Sequence, residues 1–330
     1  MMIYHIIIFC TLFVLETIYI KVARIKNIKD DPNHRSAHST PIIRGGGIVV
    51  FFSVFLYLFF FNADANFLYF LSGIVLVSVI SFVDDLIMLS SKVRLIVHFI
   101  AFSLIFYSLE LFNFSSALEM AVLLIVYLFS IGFLNIYNFM DGINGITFLN
   151  GLASYSTLLY LNEYYLQFTD SNLLIVLILA IVVFGFFNFR KNAICFAGDI
   201  GSIAIGFSLI YFVLKLYLDT KNLLVLLVFL VYLLDGGLTI IERAYRKEDV
   251  FQAHKRHLYQ LAVNDFKIGH LKIASIYFVL QLVINVLLII VLQITINKLL
   301  ALTFIVISFT MLYVVIKYKL IKQLNKTHEN

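Results

Sequence analysis

Residues 172–189 read NLLIVLILAIVVFGFFNF, a run of eighteen positions without a charge. A helix needs about 20 mostly apolar residues to cross the hydrocarbon core of a bilayer. Working outward from this run, eleven such stretches can be read, centred in 3–22, 45–61, 66–83, 93–112, 117–137, 144–161, 172–189, 200–218, 222–241, 273–295 and 299–318. Backbone groups cannot stay unpaired in lipid, and the alternation of a β-barrel is absent, so helices are expected. The short stretch 45–61 and the polar-speckled 144–161 fit the pattern least well. The fold class is therefore all-α polytopic, with about eleven transmembrane helices in one domain over 1–330.

Composition agrees. Of 330 residues 62% are hydrophobic and 13% charged, where a soluble domain carries roughly 25% charged residues. Soluble, disordered and disulfide-stapled classes are excluded, and Cys10 and Cys195 make no disulfide framework. The opening MMIYHIII lacks the basic region of a signal peptide, so the first run reads as a span. With the N-terminus outside, 21 of the 24 basic residues fall in the inner loops and C-terminus; only Lys215, Lys221 and Lys298 do not. The positive-inside rule then puts the C-terminus and the polar motifs in the cytoplasm, with 242–271 the largest inner loop.

Five inner segments hold most of the unusual residues. The first, Asp30 to Pro41 followed by Arg44-Gly45-Gly46-Gly47, contains both prolines of the chain. It reads as a shaped loop whose glycines let backbone N–H groups approach a phosphate; a solvated basic loop on lipid headgroups is the bland alternative. The second pairs Asp84 with Asp85 at a helix end, ahead of Lys92 and Arg94. Adjacent carboxylates repel unless a cation neutralises them, although an isolated pair is also common at interfaces. In the third, Asn135, Asn138, Asp141 and Asn144 recur every third residue through NIYNFMDGINGI. A carboxylate left in lipid costs about 2.5–3.5 kcal/mol, so this row is expected to face a wet cavity. The rival reading, polar glue between helices, explains an asparagine better than the ladder.

The fourth segment places Asp199 between glycines at the mouth of an apolar helix. That suits a Mg²⁺ ligand, because Mg²⁺ is usually held by one or two carboxylates plus substrate phosphates; a helix N-cap is the plain alternative. The fifth is His254-Lys255-Arg256-His257, which suits a diphosphate better than a metal, or else a lipid surface. Asp235 is a further intramembrane acid with Arg243 as a candidate partner, while Glu16 and His98 read as structural. Carboxylates, cations and glycines on one membrane face describe phosphoryl transfer, where catalysis is positioning and charge neutralisation.

The motifs DDPNHRSAHSTPIIRGGG, SFVDDLIMLSSKVR, NFMDGINGI, CFAGDIGSIAIGF, LLDGGLTIIERAYR and HKRHLYQ, in this order within about 30–260, resemble the polyprenyl-phosphate N-acetylhexosamine-1-phosphate transferase family. That resemblance implies Mg²⁺ (or Mn²⁺ in its place) on Asp199 with Asn138 as helper, and Asp84 and Asp85 acting on the lipid phosphate. It implies Asp141 and Asn144 at the nucleoside, with Lys92, Arg94, His254, Arg256 and His257 on phosphate. Arg35 and His38, in the loop 30–47, would close over the sugar nucleotide. Related members carry His-x-His-His where this chain has Arg256 at the third place, and arginine cannot be a general acid or base near neutral pH. The stretch after Asn188 also lacks a proline often found there.

The implied partners are a UDP-N-acetylhexosamine, with N-acetylglucosamine the default sugar, and undecaprenyl phosphate in a bacterial inner membrane. The products would be an undecaprenyl-diphosphate-sugar and UMP; a homodimer is compatible with this reading, and no nucleic acid is expected. Three rival classes fit the pattern less well. A secondary transporter would put its ionisable residues at mid-bilayer in related halves. An aromatic prenyltransferase would continue Asp84-Asp85 with further spaced acids, and a CDP-alcohol phosphotransferase would follow Asp141-Gly142 with Ala-Arg.

Overall fold

The computed structural model describes residues 1–30, 40–87, 89–248 and 255–329, the last three as backbone only. Helices α1 (Met2–Ile25), α2 (Ile48–Phe60), α3 (Ala65–Ile87), α4 (Ser91–Ser108), α5 (Ala117–Phe139) and α6 (Ile146–Tyr164) come first. They are followed by α7 (Ser171–Asn188), α8 (Gly198–Thr220), α9 (Leu223–Tyr245), α10 (His270–Gln293) and α11 (Lys298–Glu329). A two-stranded ribbon, β1 (Lys29–Asp30) with β2 (Ile42–Ile43), stands between α1 and α2.

Every apolar stretch read from the sequence forms a helix, so the polytopic all-α class holds. The count differs. Among the described residues nine helices are long and apolar enough to cross a membrane; α2 and α6 are the two that fall short. At 1.5 Å per residue, the 13 residues of α2 reach only about 20 Å. In α6, Thr147, Asn150, Ser154, Thr157 and Asn162 are buried against neighbouring helices and lower its hydropathy. Thr157, for instance, accepts from Asn285 Nδ2 at 2.7 Å. Polar side chains here join helix to helix, out of reach of lipid.

The axis of the bundle is α8, onto which α2, α3, α5, α6 and the start of α9 pack. Its N-terminal turn can come so close to α2 because Gly47 and Gly201 face each other; a Cβ on either would strike the other's backbone. Just before that crossing the two chain segments are zipped together. Phe196 N donates to Ile43 O at 2.8 Å, Gly46 N to Phe196 O at 2.8 Å, and Gly47 N to Ala197 O at 3.0 Å. The seam fixes Arg44 beside the first turn of α8.

Helix α9 is irregular, opening as a 3-10 turn over Leu223–Phe229 and widening to a π-turn over Leu233–Gly237. Gln281 of α10 restores the backbone bonding there, accepting from Val231 N at 3.1 Å and donating to Leu227 O at 2.8 Å. π-turns re-aim a side chain, and this one turns Asp235 into the protein, 1% exposed.

Candidate active site

The C-terminal end of α3, the start of α4, the β2–α2 turn and the N-terminal turn of α8 meet in one acidic centre. The side chain of Asp85 is buried there and accepts from Asp199 N at 3.1 Å and Ile200 N at 3.3 Å. It thus caps α8 from another helix, where the macrodipole favours an anion. Its Oδ1 also meets Arg44 Nε at 2.7 Å. Asp84 turns the other way, accepting from Leu89 N at 2.5 Å and from Arg94 Nη1 at 2.8 Å.

Asp199 is the most open of the three, its side chain 16% exposed. Arg44 Nη2 approaches one of its oxygens at 3.3 Å, and Arg94 Nη1 the other at 3.7 Å. Both contacts are looser than a charge-assisted bond, normally 2.7–2.9 Å. Asp84 and Asp199 therefore share one arginine nitrogen, with Asp199 underused. The pair fits a divalent cation of the Mg²⁺ type, since two carboxylates suffice when phosphates complete the shell. Among the described residues no larger cluster of three or more His, Cys, Asp or Glu residues forms a closed metal cage. Asn138 is adjacent, but its Oδ1 accepts from Ser202 Oγ at 2.7 Å, tying α5 to the first turn of α8. Lys92 is exposed.

Asp141 and Asn144 sit in the turn between α5 and α6. Thr147 Oγ1 donates to Asp141 Oδ1 at 2.5 Å, and burial pushes that carboxyl from its usual 3.8 up to about 7. Asn144 spends its amide on loop carbonyls, donating to Arg190 O at 2.8 Å and Lys191 O at 3.1 Å. Asn188 completes the turn, accepting from Gly145 N at 2.7 Å and donating to Cys195 O at 2.9 Å. Gly145, at φ +85°, is the residue that lets the chain reverse there. Asn144 also lines a cavity of about 700 Å³ bordered by Lys191, Lys267, Lys272 and His270, whose Nδ1 accepts from Asn144 N at 3.3 Å.

Arg35, His38 and His254 lie outside the described residues. Arg256 and His257 are grouped with α9. Arg256 pairs with Glu248 at 2.7 Å and Glu242 at 3.7 Å, and the buried His257 faces Asp235 at 3.7 Å while stacking on Tyr259. Asp235 also accepts from Leu258 N (2.7 Å), Tyr277 OH (2.6 Å) and Tyr313 OH (3.0 Å). The partner expected for it, Arg243, bonds to Glu248 at 3.3 Å instead. Eight residues separate Asp235 from Arg243, about 12 Å along a helix axis, whereas Glu248 lies within reach of Arg243.

Sequence reading missed two sets of residues. Arg44, the cation between Asp85 and Asp199, carried a signal in standing directly before three glycines at a helix start. Lys267, His270 and Lys272 carried none beyond charge, because only the fold brings them beside Asn144.

Carboxylates, arginines and a helix N-terminus gathered at one end of the bundle are groups that phosphate chemistry uses. Comparison with known proteins narrows this. Residues 67–217 match glycosyl transferase family 4, and the family resemblance carried by the motifs is borne out at that level. The chain is similar to proteins named phospho-N-acetylmuramoyl-pentapeptide-transferase. The one from Streptococcus mutans is 30% identical over 144 residues, covering 42% of this chain and 40% of that protein. One from Streptococcus pyogenes is 29% identical over 200 residues, with 54% and 56% covered. One from Streptococcus pneumoniae is 27% identical over 245 residues, with 66% and 72% covered. In the first two matches the chain spans about half the length of its relatives.

Proposed function

We propose that the protein is a polyprenyl-phosphate phospho-sugar transferase. It moves N-acetylhexosamine-1-phosphate, by default that of N-acetylglucosamine, from a UDP-sugar to undecaprenyl phosphate in a bacterial inner membrane. The products are undecaprenyl-diphosphate-sugar and UMP, and the step would initiate a cell-envelope polysaccharide. The observation that carries this reading is the meeting of Asp84, Asp199, Arg44 and Arg94 at the N-terminus of α8, on the membrane face richest in basic residues.

Asp199, with Asp84 beside it, would hold Mg²⁺, which when bound offsets the charge of the donor diphosphate. Arg44 and Arg94 grip phosphate oxygens. Asp85 holds Arg44 and α8 in register. An oxygen of the lipid phosphate attacks the β-phosphorus, and the bond from that phosphorus to the bridging oxygen breaks, leaving with UMP. A phosphate monoester has its second pKa near 6, so the attacking oxygen needs little deprotonation by the protein.

The nucleotide would lie along Asp141 and Asn144, with the lysine-rich cavity taking the rest of the donor. In this arrangement Arg256 and His257 shape the loop behind the site more than they touch phosphate. A panel of UDP-sugars, incubated with purified protein, undecaprenyl phosphate and Mg²⁺, tests the reading. UMP release with N-acetylated UDP-sugars supports it, and no release with any member of the panel refutes it.

A further inference from the structure

The helices that build the acidic centre also build a second polar cavity at the opposite end of the bundle. On α8, Lys215 lies sixteen residues beyond Asp199, about 24 Å along the axis at 1.5 Å per residue. α2 runs from the Gly47 crossing to Tyr57, and α3 begins just after Asp64 and ends at the acid pair. The cavity, of about 380 Å³, is lined by Tyr57, Asp64, Gln167, Asp170, Tyr211 and Lys215 among others.

Its charges are incompletely matched. Lys215 is half-buried over the ring of Tyr211, 5.5 Å from the centroid, and makes no ion pair among the described residues. Tyr211 is only 4% exposed and stacks on Phe70 at 4.5 Å; its hydroxyl makes no hydrogen bond among the described residues. The two are four apart on α8 and so share a face, offering an ammonium and a hydroxyl together. Asp170 is fully used, accepting from Asn172 N at 2.9 Å and Tyr57 OH at 2.7 Å. Asp64, at the rim, receives Phe67 N on Oδ1 at 2.7 Å, while Oδ2 accepts nothing among the described residues.

A simple anion would meet Lys215 but also the two carboxylates, and a simple cation would meet Lys215. A ligand carrying both signs satisfies the cavity, and the ends of membrane-spanning helices are where lipid headgroups lie. We propose that this cavity binds the headgroup of a phosphoethanolamine lipid, its phosphate on Lys215 and Tyr211 and its ammonium on Asp64. Choline would fit less well, having no N–H to give Asp64, and a glycerol headgroup has no cation.

Native mass spectrometry of the purified full chain, titrated with dioleoyl-phosphatidylethanolamine, -phosphatidylcholine or -phosphatidylglycerol, tests this. The wild type should retain the ethanolamine lipid about tenfold or more in preference to the other two, and Lys215→Met should abolish that preference. Asp64→Asn keeps the acceptor for Phe67 N and should lose the preference over choline. Tyr211→Phe keeps the ring stack and should weaken retention even if Lys215→Met does not fold. Equal retention of the three lipids by the wild type overturns the proposal. So does an ethanolamine preference unchanged in Asp64→Asn and Tyr211→Phe, or binding of soluble O-phosphoethanolamine with no preference for the lipid.

Discussion

At the scale of single residues, three neighbouring carboxylates have different tasks because they have different partners. Asp85 has its oxygens on Arg44 and two backbone N–H groups, whereas Asp199 keeps loose contacts. Asp199→Asn should therefore abolish turnover and leave the thermal midpoint near wild type. Asp85→Asn should lower both, because it weakens the cap of α8 along with the hold on Arg44. Equal loss of stability in the two variants, measured by thermal unfolding in detergent, would contradict this division. Losing one charge-assisted contact of about 1.5–3 kcal/mol costs roughly 10- to 150-fold in kcat/KM, and Arg44→Ala should fall in that range. Arg256→Ala removes a partly exposed ion pair, worth about 0–1 kcal/mol, and should cost less than Arg44→Ala in a side-by-side assay. Asp141 supplies a pH dependence. Its carboxyl is raised from 3.8 to about 7, so the neutral form is favoured by folding. That contribution to stability is complete below about 3.8 and is lost as pH rises through 7. Asp141→Asn, which imitates the neutral acid, should flatten the fall in thermal midpoint between about pH 4 and 8. A variant as pH-sensitive as the wild type would show that another group is responsible.

At the scale of elements, close backbone approach organises the site. Gly201→Ala would drive a methyl into Gly47, so it should lower both expression and activity. Gly132 has open space around its Cβ position in α5, and Gly132→Ala should be neutral or gain roughly 0.5–1 kcal/mol of stability; thermal midpoints of the pair decide. Much of this level was legible in the sequence. Asp199 among glycines, the acid pair and the ladder from Asn135 to Asn144 stand out because each breaks an apolar pattern. The glycines after Arg44 mark it out, but its place between the two acids depends on hydrogen bonds between segments some 150 residues apart (Gly46 with Phe196, Gly47 with Ala197). The partners of Asp235 were hidden for a related reason: Leu258, Tyr277 and Tyr313 lie 23 to 78 residues further along the chain.

At the scale of the whole molecule, hydropathy showed a helical membrane protein because lipid forces backbone bonding to be local. All eleven stretches form helices, and among the described residues nine are long and apolar enough to cross a membrane, while α6 buries polar residues against protein and α2 is short. The 21 basic residues on one face predict sidedness. A single cysteine placed at Asn113 in a background lacking Cys10 and Cys195 should react with an impermeant thiol reagent in intact cells, and one at Lys267 should not; the reverse would invert the topology. The central claim is that phosphorus passes from a sugar nucleotide to a lipid phosphate at the head of α8. Its most direct test is a single-turnover reaction with UDP-N-acetylglucosamine labelled with ³²P at the β-phosphorus, undecaprenyl phosphate and Mg²⁺. The account predicts that the label enters the organic phase as lipid diphosphate while unlabelled UMP appears in water, and that Asp199→Asn yields neither. Label that stays in the aqueous phase, or a fully active Asp199→Asn, would contradict it.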